Sequence, residues 1–170
     1  MSTNWIKYSL FFILLVILQI WILNRIHLFG FAAPLFYVYF ILKLPADMGR
    51  NSLLFFSCLL GFVIDFFSYT LGFSMLACTV MGFSRHYVFD AFAPRDMADS
   101  FVPSVGTFGS LLFLRYAVTL VVIHHIVFFI AESFTLFNLL NLLLKIAGSS
   151  VLTILLIWGI EQLKLEFLKK

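Results

Sequence analysis

Charge is scarce in this sequence. Asp, Glu, Lys and Arg make up 11% of its 170 residues and hydrophobic residues 63%, where a soluble domain carries about 25% charged residues. Such a chain cannot cover a folded core with polar surface, so the bilayer is its solvent. The net charge of +3 is small and scattered, which argues against a nucleic-acid partner. Cysteine is scarcer still. Cys58 and Cys78 both fall in apolar runs and read as small buried hydrophobes, with neither a disulfide nor a metal pair. A small-residue cleavage site is lacking after the first apolar segment, which therefore reads as an anchor rather than a signal peptide. HExxH patterns, nucleophile elbows and phosphate loops are missing as well. His124 and His125 are adjacent, about 100° apart on a helix, and poorly placed to share one ion. His125 and Glu132 share a helical face, a pairing more typical of packing than of catalysis. The reading is non-enzymatic, with no catalytic residue, metal or cofactor.

What is present is a succession of apolar segments, the pattern of an all-α integral membrane protein with one domain over 1–170 and six transmembrane helices. The predicted spans are 6–23, 31–44, 52–67, 71–89, 110–130 and 146–160. In the first, Gln19 is the polar interior residue, and Lys7, Tyr8 and Trp21 serve as interface anchors. The second opens with Pro34 in its first turn, where proline is tolerated. Arg85 and His86 are expected to snorkel at the end of the fourth. The apolar region 134–160 is too long for one upright span. It divides into an interfacial helix over 135–145, with Asn138, Asn141 and Lys145 in one stripe, and a span over 146–160; one tilted helix is the alternative. The residues from Glu161 onward read as a charged amphipathic tail.

The sequence is organised around the stretch from Gly61 to Gly72. Asp65 is an acid at the edge of an apolar segment, where burial at a helix centre costs about 2.5–3.5 kcal/mol. It should face a neighbouring helix, a backbone donor or a wet cavity. Gly61, four residues earlier on the same face, lets another helix come close. Tyr69, Thr70 and Gly72 make a turn, so the stretch reads as a tight membrane hairpin with one polar anchor. Candidate partners for Asp65 are Arg25, His27, His124 and the free backbone N–H groups that begin the fourth span. An interfacial capping role and a functional role both remain open.

Six spans place Lys7, Lys43, Arg50, Arg85, Arg95, Lys164, Lys169 and Lys170 on one side, with Arg115 adjoining it, and Arg25 and Lys145 on the other. The positive-inside rule then puts both termini in the cytoplasm. In that orientation Gln19, Asp65 and His124 approach the outer leaflet, bordered by Asn24, Arg25, His27, Ser68 and Glu132. The outer half gains a polar layer that the inner half lacks. Three readings stand: the interface edge of each span, a seat for a partner's membrane helix, or a small-molecule vestibule.

The glycine–aspartate hairpin of Gly61 and Asp65 with Gly72 resembles the bacterial rod shape-determining protein family MreD. So do the length, the late polar residue of the first span, Pro34 opening the second (Pro34-Leu35-Phe36-Tyr37-Val38-Tyr39), the Arg25–Gly30 turn and the Lys43-Leu44-Pro45 exit, the last two in the manner of Bacteroidetes-type members. The resemblance covers about residues 6–162. It implies a non-enzymatic scaffold subunit of the cell-elongation machinery in the bacterial cytoplasmic membrane. Its partners would be MreC, the polymerase RodA with its transpeptidase, the filament MreB directly or indirectly, and membrane lipid. The family is similar in fold to substrate-binding subunits of energy-coupling-factor vitamin transporters, which supplies the rival expectation of a transporter subunit. Those subunits pack on their transport partner through Ala-x-x-x-Ala in the first span, and 6–23 contains no alanine. A membrane protein of unrelated function is the third reading.

Overall fold

The computed structural model describes residues 2–26, 32–70, 72–92, 101–133 and 138–168. Every regular element among them is helical. Helix α1 spans Ser2–Trp21 and is followed by a 3-10 turn, Leu23–Arg25. A 3-10 turn over Phe36–Val38 runs directly into α2, Tyr39–Leu42. Then come α3 (Arg50–Ser68), α4 (Phe73–Phe92), the short α5 (Val105–Phe108), α6 (Ser110–Ser133) and α7 (Leu139–Leu168).

Four segments among the described residues are long and apolar enough to cross a membrane: Ile6–Arg25, Arg50–Ser68, Ser110–Ser133 and Leu139–Phe167. They mark a membrane protein. Their outward faces are as apolar as their inward ones. In α1, Leu15, Val16 and Gln19 point inward, while Leu10, Ile13, Leu14, Ile17 and Trp21 are exposed. A helix apolar all round suits a bilayer. Helix α4 is of similar length, but its second half carries Arg85, His86 and Asp90, and it falls outside that set.

Helices α3, α4, α6 and α7 pack successively, each against the next, and α1 packs on α3. In their midst lies the segment predicted as the second span. It does not form a helix of membrane-spanning length: only residues 36–42 are helical. All seven are buried, with Val38, Ile41 and Leu42 at 0% exposure. Apolar composition cannot distinguish a lipid-facing span from a core segment, and here the core claims it.

The region from 138 on is resolved in favour of one helix. Helix α7 runs unbroken for 30 residues, about 45 Å at 1.5 Å per residue. The proposed break between 145 and 146 does not exist, and residues 135–137 lie outside the described set. Asn138 accepts a 3.4 Å bond from the Asn141 N–H, which starts the helix. Glu161 belongs to the buried face of α7 rather than to a solvated tail.

The α3–α4 contact is made close by missing side chains. A β-carbon on Gly61 would lie 2.4 Å from Met75 Cα and 2.5 Å from the Ser74 carbonyl oxygen. One on Gly82 would lie 2.4 Å from Ser57 Oγ. The first obstacle is backbone and cannot move aside, whereas the second is the short side chain of Ser57, whose β-carbon would also lie 2.8 Å away. Gly61→Leu is therefore expected to destabilise the protein by about 3 kcal/mol through overpacking, and Gly82→Ala by less. Thermal unfolding of the purified variants in detergent checks the order; equal midpoints would show that α3 and α4 are not in this contact.

Candidate functional site

The hairpin residues form one unit. Asp65 is buried near the C-terminus of α3. Its carboxylate accepts the Ser74 N–H at 3.0 Å, the Met75 N–H at 2.8 Å and the Thr70 hydroxyl. Those amides open α4, so the acid satisfies orphan donors at the positive end of a helix. Among the candidate partners, the backbone N–H groups are the ones used. Neither Arg25, which is exposed, nor His124 bonds to Asp65, and His27 lies outside the described residues. The turn needs left-handed backbone twice: Tyr69 at φ 55° and Gly72 at φ 89°. The Tyr69 and Thr70 N–H groups both return to the Asp65 carbonyl, closing α3.

Gln19 holds a second unit. Its Oε1 accepts the Phe36 N–H at 2.9 Å and the Tyr37 N–H at 3.3 Å, and its Nε2 donates to the Pro34 carbonyl at 3.0 Å and to Asn24 Oδ1 at 2.8 Å. Asn24 Nδ2 in turn donates to Ser68 Oγ at 2.9 Å, which ties α1 to the hairpin. From the other side, Ser149 Oγ accepts the Ala33 N–H and Thr153 Oγ1 the Leu35 N–H, each at 3.1 Å. Non-helical backbone buried in a membrane protein is tolerated only when such partners exist.

Behind it, His124 and His125 are fully buried. His124 Nε2 lies 3.2 Å from the Tyr37 hydroxyl and 3.8 Å from Cys78 Sγ. His125 bridges the Val121 carbonyl and Thr153 Oγ1 at 2.8 Å and 3.3 Å, and does not reach Glu132. Glu132 pairs with Lys145 at 3.4 Å on the rim. A cavity of about 360 Å³ opens among these groups, lined by Asn24, Tyr37, Ser68, Thr70, Glu132 and Lys145 among others. The structure thus gathers Asn24, Ser68 and Glu132 around one cavity and sets Gln19 and His124 against its walls. Arg25 is not part of it.

The opposite end is not devoid of polar contacts, contrary to the expectation from sequence. Arg85 does not snorkel: it is 3% exposed, donates to the Tyr116 hydroxyl at 2.8 Å, and reaches the Leu44 and Pro45 carbonyls. Tyr116 donates to the Leu42 carbonyl at 3.4 Å. Glu161 pairs with Lys43 at 2.8 Å, accepts the Val105 N–H at 3.0 Å, and is bonded by the Tyr39 hydroxyl. Lys164 donates to that same hydroxyl at 2.9 Å. The signal for this cluster was the spacing of Glu161 and Lys164 on one helical face. Among the described residues no group of three or more His, Cys, Asp or Glu side chains is placed to hold a metal ion.

No protein-family model, curated protein or solved structure matches the chain.

Gln19→Leu leaves the Phe36 and Tyr37 amides buried and unpaired, at about 1–3 kcal/mol for each orphaned group. It is expected to lower the folded membrane level more than Asn24→Ala, whose partner Ser68 lies at the cavity edge. At the hairpin, Asp65→Asn keeps an acceptor and should be milder than Asp65→Leu. Fluorescence-detected size-exclusion of tagged variants ranks all four; a Gln19→Leu profile like wild type would refute the clamp.

Proposed function

We propose that this chain is a six-span, non-enzymatic scaffold subunit of the MreD type, acting in the bacterial cytoplasmic membrane on the machinery of lateral cell-wall synthesis. The observation that carries the reading is the hairpin. Gly61, Asp65 and Gly72, which underlie the resemblance, act together in one closed turn: close approach, capping carboxylate and left-handed glycine.

Two spans beyond the four apolar ones complete the six. One is α4. The other is the buried segment from 32 to 45, whose extended start, 3-10 turn and helical turn cover roughly 25–30 Å at their respective rises, about the thickness of a hydrocarbon core. An even number of spans puts both termini on one side. Lys7, Lys43 and Lys164 line a common pocket at that end, where Arg85 also reaches the Leu44 and Pro45 carbonyls. The positive-inside rule makes it cytoplasmic.

In this reading Asp65 is a folding residue, since its acceptor sites are occupied within the chain. Recognition of the membrane helix of MreC falls to the side chains presented beside the hairpin: Phe62, Phe66, Phe67 and Tyr69 are all exposed. RodA, its transpeptidase and MreB would then be reached through MreC or the opposite face. The cavity of about 360 Å³ favours the second reading, a substrate-binding subunit of a vitamin transporter. Vitamin uptake that depends on this chain, with recovery of a coupling ATPase, would establish that one instead.

Two measurements test the first reading. Single cysteines introduced near Lys164 should resist an impermeant thiol reagent in intact cells, while one replacing Asn138 should react; the reverse pattern sinks the topology. Phe62→Ala/Phe66→Ala should keep its membrane level and recover at least tenfold less MreC on pull-down, whereas Asp65→Leu should lose level first. Undiminished MreC recovery with the double variant would remove the aromatic face from the partner surface.

A further inference from the structure

At the end of the bundle where α1 begins and α7 ends, two cavities adjoin. The smaller, about 260 Å³, is lined by Lys7, Lys43 and Lys164 with Tyr8, Phe11 and Val102. The larger, about 620 Å³, shares Tyr8 and Val102 with it and continues between α1 and α3 along Phe12, Ile13, Phe40, Phe56 and Leu59. Ile13 and Leu59 are also exposed on the outer surface of their helices, at 51% and 36%. The larger cavity is therefore a groove open sideways, in the direction that meets acyl chains.

The charges beside it are unevenly matched. Glu161 is engaged by Lys43, Tyr39 and the Val105 amide. Lys164 donates to the Tyr39 hydroxyl, a neutral acceptor, and its ammonium lies 5.0 Å from that ring's centroid. Lys7 and Lys164 have no carboxylate partner among the described residues. Asp47 also lines the groove and acts electrostatically on Tyr8, which lines both cavities, so three ammonium groups stand against two carboxylates. An anion fits the lysine pocket, and hydrocarbon fits the groove that leads out of it.

We propose that these two cavities form a single site for an anionic glycerophospholipid, its phosphate held by Lys7, Lys43 and Lys164 and one acyl chain lying in the groove between α1 and α3. Cationic pockets between membrane helices recognise anionic headgroups in this way. Lys43 is already fixed by Glu161 and by the Pro103 carbonyl at 2.8 Å, which pre-orders one donor. Lys7 and Lys164 are exposed and supply the others. The lipid would fill the gap between α1 and α3 and link the two ends of the chain, because Lys7 lies on the first helix and Lys164 on the last.

The test uses the full chain purified in detergent, with native mass spectrometry during titration of dioleoyl phosphatidylglycerol or dioleoyl phosphatidylcholine. One phosphatidylglycerol per chain should bind at least tenfold more tightly than phosphatidylcholine. Lys7→Gln and Lys164→Gln should each weaken it about fivefold and leave phosphatidylcholine unchanged. Both side chains are exposed, and an unchanged elution profile shows that the variants fold. Ser9→Trp, at the groove wall, should weaken dioleoyl but not dihexanoyl phosphatidylglycerol. Equal binding of the two headgroups, or full binding by the Lys7→Gln/Lys164→Gln pair, would reduce the lysines to ordinary interface anchors. Displacement of the lipid by millimolar glycerol phosphate would make this a phosphate site, not a lipid site.

Discussion

The fold depends on satisfying the backbone of one buried segment. Residues 32–45 pass through the centre of the bundle with only seven of them helical, so most of their N–H and C=O groups have no partner within the segment. In a medium without water each such group costs several kcal/mol. The neighbours supply what is missing in a polarised way. At the start, where amides are orphaned, the partners are side-chain oxygens: Gln19, Ser149 and Thr153. At the end, where carbonyls are orphaned, they are donors: Arg85 and Tyr116. A short helix has this need at both termini, and α1, α4, α6 and α7 each contribute to meeting it.

The hairpin solves the same problem at smaller scale. Helix α4 begins abruptly after a turn, and its first amides would face the interior of the bundle. Asp65 reaches two of them from the end of α3. That reach works only because α3 and α4 nearly touch, and they nearly touch because Gly61 has no side chain. The carboxylate is thus tolerated at low exposure with no cation bonded to it among the described residues. Backbone donors and the helix dipole take the place of a counter-ion.

Much of this was legible in the sequence, for physical reasons. A carboxylate one helical turn after a glycine, next to a turn and a new apolar run, has few chemical outlets, and the helix start was among those named. Gln19 stood out because an amide in an apolar span must be bonded. Its partner was not legible, since nothing in 31–44 marks broken backbone except Pro34 near the start. Ser149 and Thr153 were invisible for a related reason. Small hydroxyl residues in a membrane helix usually bond their own backbone, and only the neighbouring segment shows that these do otherwise. Arg85 was read as snorkelling, because a charge near the end of an apolar run ordinarily does, and Glu161 as the start of a charged amphipathic tail. Each is held inward by a partner far away in sequence, Leu44 for one and Lys43 for the other.

These internal bonds limit where recognition can occur. A polar residue in a membrane protein is a natural suspect for binding, and this chain offered several: Asp65, Gln19 and the two histidines. The structure engages Asp65, Gln19 and His125 in internal bonds, and places His124 against Tyr37 and Cys78 behind the cavity. A partner or ligand competing for Asp65 or Gln19 would have to break the bonds that hold α4 or the central segment in place. Groups at the margins carry no such cost: the half-exposed Glu132–Lys145 pair, the aromatic side chains beside the hairpin, and the exposed lysines at the far end. Changing those groups breaks no bond to the backbone of the central segment or of the start of α4, whereas the buried polar residues are constrained by the backbone they serve. In this protein the conspicuous residues build the frame and the unremarkable ones are free to meet partners.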